Sequence, residues 1–227
     1  MGERGTGGRA RPGRAALSRE RVVQAALALA DEKGVVGLSM RAIAARLGVE
    51  AMSLYNHVTN REDILDRLVD AVFAEIELPV PDADWKDAMR DRAASARRAL
   101  RRHPWAVGLM DSRSRPGAAV LRHHDAVLGS LRAGGFSVAM AAHAFSLIDS
   151  YVYGFVLQEL SLPFTNRAEL DAIVGDLLNV LGDDHPHLAE MTQHVLRPAY
   201  DYGDEFEFGL CVVLDGLHPD EDHAAAS

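Results

Sequence analysis

The stretch MRAIAARLGVEAMSLYNH, residues 40–57, decides how this chain is read. Two helices that cross closely need a small residue on the first, a turn residue that accepts positive φ, and apolar anchors on both. Ala44, Gly48 and the set Ile43, Leu47, Val49 and Leu54 meet those demands in order. Ser39 can cap the first of the two helices. The second is expected to run for about seven residues, from Glu50 to Asn56. Its outward side chains, Ala51, Met52, Ser53, Tyr55 and Asn56, with His57 just beyond, are small or hydrogen-bonding, and none is acidic. Side chains of that kind can meet base edges, thymine methyls and phosphate oxygens in a major groove, as a helix-turn-helix does.

Helical spacing continues on both sides. Upstream, Ser18 caps a helix with Val22, Val23, Ala26, Leu27 and Ala30 on one side, closed by Gly34. Downstream, Asn60 opens a helix with Ile64, Leu65, Leu68, Val69, Val72, Phe73 and Ile76 at helical spacing, ended by Pro79 and Pro81. Further helices are expected from Asp84 to Arg102, Pro116 to Ala133, Ser137 to Leu160, Arg167 to Leu181 and Asp204 to Leu217. The stretch holding His185, Pro186 and His187 reads as irregular. No alternating apolar and polar run reads as a strand, so the fold class is all-α. The expected organisation is a disordered basic arm (1–16), a three-helix DNA-binding domain (17–61), a linking helix (61–78), a helical regulatory and dimerisation domain (79–217) and a disordered tail (218–227).

The net charge of −9 divides unevenly, with ten Arg or Lys against five Asp or Glu in residues 1–61 and fourteen against twenty-eight in the rest. A basic segment on an acidic body presents one face to phosphates and repels them elsewhere. The single cysteine, Cys211, excludes an internal disulfide and fits a reducing cytosol. Without a signal peptide, and with no run of about 18 uninterrupted apolar residues, the expectation is a soluble, cytoplasmic protein that spans no membrane. Nucleophile elbow, HExxH, P-loop and dinucleotide motifs are all missing, so no enzyme is expected. The histidine groups His123–His124 and His185, His187, His194 lack ligand spacing, and neither a metal site nor a cofactor is expected.

From residues 17–70, LSRERVVQAALALADEKGVVGLSMRAIAARLGVEAMSLYNHVTNREDILDRLVD, the chain resembles the DNA-binding domain of tetracycline repressor (TetR) family regulators. The run Leu54-Tyr55-x-His57-Val58 followed by Asn60-Arg61 carries the likeness. The resemblance implies that Ser39 and Arg41 meet the backbone at the groove edge, and that Ala51, Met52 and Ser53 face bases. It also implies that Tyr55, His57 and Arg61 hold phosphates. The second half is similar to the tetracycline repressors proper at Trp85-x-Asp87, Arg115-Pro116, Gly135-Phe136-Ser137, the run FEFGL and Gly216-Leu217. By that likeness the helices from Ser137 and Asp204 pair with their twofold mates in a four-helix bundle. Their apolar surplus also calls for a partner. Those repressors hold drug-bound magnesium with a histidine and a glutamate where Asp111 and Gln158 stand here, so tetracycline itself is not expected as ligand.

The implied function is a homodimeric repressor on a near-palindromic double-stranded operator, released by a small, largely apolar or aromatic inducer. The alternative is a helical dimer that binds DNA or a protein with no small-molecule switch. The ligand pocket is expected at His103, Trp105, Met110, Ala142, Phe145, Asp149 and Val152, with Asp149 paired by Arg115, His103 or the ligand. The dimer interface is expected at Leu147, Tyr151, Gly154, Phe206, Leu210, Val213, Leu214 and Leu217.

Overall fold

A computed structural model describes residues 16–181 and 184–220, and among them all regular structure is helical. The arm as far as residue 15 and the tail from residue 221 lie outside the described residues. The helices are α1 (Arg19–Lys33), α2 (Met40–Leu47), α3 (Ala51–Leu54), α4 (Arg61–Ala74), α5 (Trp85–Arg102), α6 (Ala118–Ala133), α7 (Val138–Leu160), α8 (Arg167–Leu181), α9 (Pro186–Val195) and α10 (Tyr202–Asp215). The chain divides into two compact units between Leu68 and Val69, inside α4. The division therefore falls within a helix that had been expected to serve wholly as a linker.

In the first unit local chemistry sets each boundary. The Ser18 and Ser39 hydroxyls accept from the amides of Arg21 and Ala42, satisfying orphan donors at the starts of α1 and α2. Gly48 closes α2 in the left-handed region at φ 66°, a conformation that costs glycine nothing. The start of α4 is a reciprocal box: Asn60 accepts from the Asp63 amide at 2.9 Å, and the Asp63 carboxylate accepts from the Thr59 amide at 2.8 Å. Val22, Ala26, Leu29, Ile43, Ala44, Leu54, Val58 and Leu68 are buried.

In the second unit α5, α6 and α10 pack on α7, while α8 and α9 form a hairpin. The segment that had read as irregular contains α9, which starts on Pro186 where a missing N–H costs nothing. A 3-10 segment, Pro104–Leu109, follows α5. α7 is long and apolar enough to cross a membrane, yet it is the central helix of this unit, and its acids Asp149 and Glu159 pair with arginines of α5. α6 begins on Gly117, which has no side-chain cap; Asp70 of α4 supplies one, accepting from the amides of Ala119 and Val120 at 2.8 and 3.0 Å. A Cβ on Gly117 would lie 2.2 Å from the Asp70 carboxyl carbon, so that cap requires glycine.

Candidate nucleic-acid interface and effector region

The turn between α2 and α3 has the geometry its sequence demands. The Gly48 amide donates to the carbonyls of Ala44 and Ala45, and the Val49 amide reaches Ala44 O at 3.0 Å, so the chain reverses over the small Ala44. α3 is shorter than expected, four residues, because its end tightens into i to i+3 bonds: Tyr55 N to Met52 O and His57 N to Leu54 O. Leu54 anchors it at 0% exposure. Met52 at 76% and Tyr55 at 49% stand out from the surface, and Ser39, Arg41 and Asn56 are also exposed; Ala51, Ser53 and His57 are half-buried. The Ser53 hydroxyl donates to Glu50 O at 2.5 Å, which leaves its lone pairs open to a donor.

Arg61 also makes bonds within the protein. Its Nη2 donates to Val35 O at 2.7 Å and its Nε to Leu38 O at 3.2 Å, so its guanidinium ties the start of α4 to the α1–α2 connection. A phosphate would have to compete with both carbonyls. Arg19 acts similarly, its Nε donating to His57 O at 3.1 Å and fixing the end of the reading segment. A bidentate pair from Arg46 to Glu32, at 2.8 and 2.7 Å, holds α2 on α1.

In the second unit Asp149 is buried at 4%, and the expected partners were Arg115, His103 or a ligand. Its partner is Arg92 of α5, itself 1% exposed, in a contact ion pair between Nη1 and Oδ1. Arg92 Nε donates to His123 Nε2 at 3.1 Å, and Tyr153 donates to Asp149 Oδ2 at 3.4 Å. Burial, then the Arg92 charge, pushes His123 down to about 3. Burial, then Asp149, raises Asp111, and burial also lowers His124. Aromatic edges close the group: Phe73 meets the rings of His123 and His124 at 5.2 and 5.4 Å, and His124 meets Phe145 at 5.1 Å. Arg92, His123, His124 and Tyr153 were absent from the expected pocket. The sequence did hold a signal for the first, since Arg92 falls on the stripe Ala88, Met89, Ala93, Ala96, Ala99 that α5 buries.

Of the expected pocket residues, Phe145, Asp149, Val152 and Met110 face this interior, with Phe145 half-buried and the others buried. His103 is drawn away to Glu75, 3.1 Å from its Nε2, and its ring tilts against Trp105 at 6.0 Å. Ala142 is exposed and leaves the set, because α7 buries Ala141, Ala144 and Ile148 on that flank instead.

The expected dimer residues divide. Phe206, Leu210, Leu214 and Leu217 are 0 to 6% exposed and belong to the core of the protomer, with Val213 packed against it. Tyr151 donates to Phe206 O at 2.8 Å within the same chain, and Gly209 makes room for it. Leu147 and Gly154 are exposed. They share the outside with Leu157, Phe208 and Val212, which sequence reading had not singled out.

Residues 22–68 match the family described as "Bacterial regulatory proteins, tetR family", and residues 78–220 match "Tetracyclin repressor-like, C-terminal domain". The HTH-type transcriptional repressor DrrR1 of Streptomyces coeruleorubidus is 34% identical over 211 residues, covering 88% of this chain and 77% of that one. The tetracycline repressor protein class A from transposon 1721 of Escherichia coli is 35% identical over 205 residues, covering 86% and 88%. Among solved structures, the Streptomyces coelicolor TetR family protein ActR in complex with actinorhodin superposes with a TM-score of 0.75 at 28% identity, covering 89% of this chain and 96% of that chain. With both halves matched and the helix-turn-helix in place, the chain belongs to the TetR family and is a DNA-binding transcriptional regulator.

Proposed function

We propose that the protein is a cytoplasmic, non-catalytic repressor that binds a near-palindromic operator as a homodimer and lets go when a small, largely apolar or aromatic compound enters its second unit. The observation that carries the DNA half is the acid-free run 51–60, which presents Met52, Tyr55 and Asn56 to solvent, with Ser53 and His57 half-buried, on a turn fixed by Gly48. Met52 and Ser53 read bases; Tyr55, His57, Ser39 and Arg41 hold the backbone.

The effector half is supported by the polar and aromatic cluster around Phe145 and Asp149, and by the similarity to ActR, which was crystallised with actinorhodin. The cluster is closed: Arg92 Nη1, Asp149 Oδ1, His123 Nδ1 and His124 Nε2 have no solvent contact. A ligand reaching Asp149 therefore has to open this cluster, in which Phe145 packs on His124, so that binding and conformational change are one event. Release follows only if the opened state fits the operator less well, since a ligand of equal affinity for both states shifts nothing.

Fluorescence anisotropy on an operator selected from random duplexes tests the reading. Affinity should fall steeply with salt, and a hydrophobic aromatic library should contain compounds that release the DNA. Phe145→Ala should blunt that release while leaving binding without compound intact. Release unchanged in Phe145→Ala would move the effector site elsewhere, and release by no compound would favour the switch-free dimer.

A further inference from the structure

A cleft of about 720 Å³ opens among the end of α5, the end of α7, the start of α8 and the segment leading into α10. That is within the range of ligand pockets, about 300–1,000 Å³. It shares no side chain with the Asp149 cluster. Arg97, Arg101, Glu159, Phe164, Tyr200 and Tyr202 are the lining residues that give it a chemical character.

The two arginines stand unequally toward Glu159. Arg97 holds that carboxylate with two bonds, Nε to Oε2 at 3.0 Å and Nη2 to Oε1 at 2.7 Å, and its guanidinium lies 4.8 Å over the Phe206 ring. Both side chains of this pair are largely buried, at 14% and 13% exposure. Arg101 leans on the same carboxylate at 3.6 Å, beyond hydrogen-bond reach, and stays 59% exposed. Asp201 and Glu207 act on Arg97 as well, so the cation of this wall that no acid holds by a hydrogen bond is Arg101.

Of the remaining charged lining, Arg167 is held within the protein and Asp201 keeps its negative charge on the Arg97 side. Arg167 donates to Asp171 and to the carbonyls of Arg197 and Leu196, while Asp201 accepts from the Gly203 amide at 2.7 Å. Apolar surface comes from the rings of Phe164 and two tyrosines. Tyr202 packs at 5.2 Å on Phe155, which fixes its plane at the cleft.

We infer that this cleft is a second small-molecule site, selective for a compact aromatic acid whose carboxylate meets Arg101, beside Arg97, and whose ring lies among Phe164, Tyr200 and Tyr202. A neutral isostere leaves the Arg101 charge unmatched, so selectivity for the anion is the signature.

Isothermal titration of the full-length protein with 1-naphthoate, against 1-naphthalenemethanol as the neutral analogue, tests this. The expected result is saturable naphthoate binding at one site per chain, with the alcohol weaker by about tenfold or more. Arg101→Gln, an exposed change that leaves the Arg97–Glu159 pair in place, should weaken naphthoate by a similar factor, and Phe145→Ala should leave it unchanged. Four outcomes would each overturn the inference: no saturable binding up to millimolar naphthoate, equal affinity for the alcohol, unchanged affinity in Arg101→Gln, or loss of binding in Phe145→Ala. The last would assign the acid to the effector cluster proposed above.

Discussion

Arg92 sits at 1% exposure in an apolar interior because Asp149 is there to neutralise it. Such pairs add little net stability, but removing one partner strands a buried charge and costs about 3–5 kcal/mol. The cluster also fixes a tautomer. Arg92 Nε can only donate, so His123 Nε2 accepts, and the neutral ring carries its proton on Nδ1. A histidine held at about 3 when folded and near 6.5 when unfolded binds more protons in the unfolded chain. Its neutral form therefore supports folding in full above about pH 6.5, and that support drains away as pH falls toward 3. From pH 7 to pH 5 the loss should be about 2 kcal/mol from this residue alone. Urea unfolding at both pH values should show His123→Gln, which keeps an acceptor but cannot titrate, losing less than the native protein by that amount. Equal losses would remove His123 from the acid response. The sequence exposed half of this arrangement: an acid on an apolar helix announces a need for a partner, but its identity depends on which helix lies opposite.

At the scale of elements, helix starts were legible where the cap lies in the adjoining sequence and hidden where it comes from afar. Ser18, Ser39, Ser137 and Asp84 cap the helices that follow them. α6 instead takes its cap from Asp70, 49 residues before Ala119. Arg61 is a similar case: the resemblance implies a phosphate ligand, and the two carbonyl bonds that tie α4 to the α1–α2 connection were not legible in the sequence. Arg61→Ala should lower the stability of the first unit by about 1–2 kcal/mol through those lost bonds. It should weaken DNA binding with the slope of log affinity against log salt unchanged. A direct phosphate contact predicts instead a slope smaller by about 0.9, so anisotropy titrations across salt separate the two roles.

For the whole molecule, the deciding feature is that α7 and α10 are apolar on more than one side. The inner stripe of α10, Phe206, Leu210 and Leu214, closes the protomer; the outer pair, Phe208 and Val212, stays 71% and 58% exposed. On α7 the outward residues are Leu147 and Leu157, at 48% and 58%, with Gly154 between them. Large apolar side chains presented together by neighbouring helices suit a twofold contact in which each residue meets its mate's surroundings. Phe208→Asp should therefore give a folded monomer that has lost specific operator binding, whereas Leu214→Asp should unfold the second unit. Sedimentation paired with circular dichroism distinguishes them, and a Phe208→Asp protein that remains dimeric would exclude this face as the interface. Phe206, Leu210 and Leu214, expected at the partner, lie about half a turn of the helix from Phe208 and Val212.

What the sequence by itself determined is everything encoded over a few residues: the caps, the glycine turn of residues 40–57, the helical class, and the run of motif residues that identifies the family. These are local because capping and left-handed turns are satisfied within three or four residues of chain. The α9 helix was hidden by its histidines and prolines, although Pro186 suits its first turn. Only the tertiary structure decided which apolar stripe of α10 turns inward and which arginine answers Asp149. Periodicity reports that a helix has two faces to cover and says nothing of what covers each, because that depends on contacts between residues tens of positions apart.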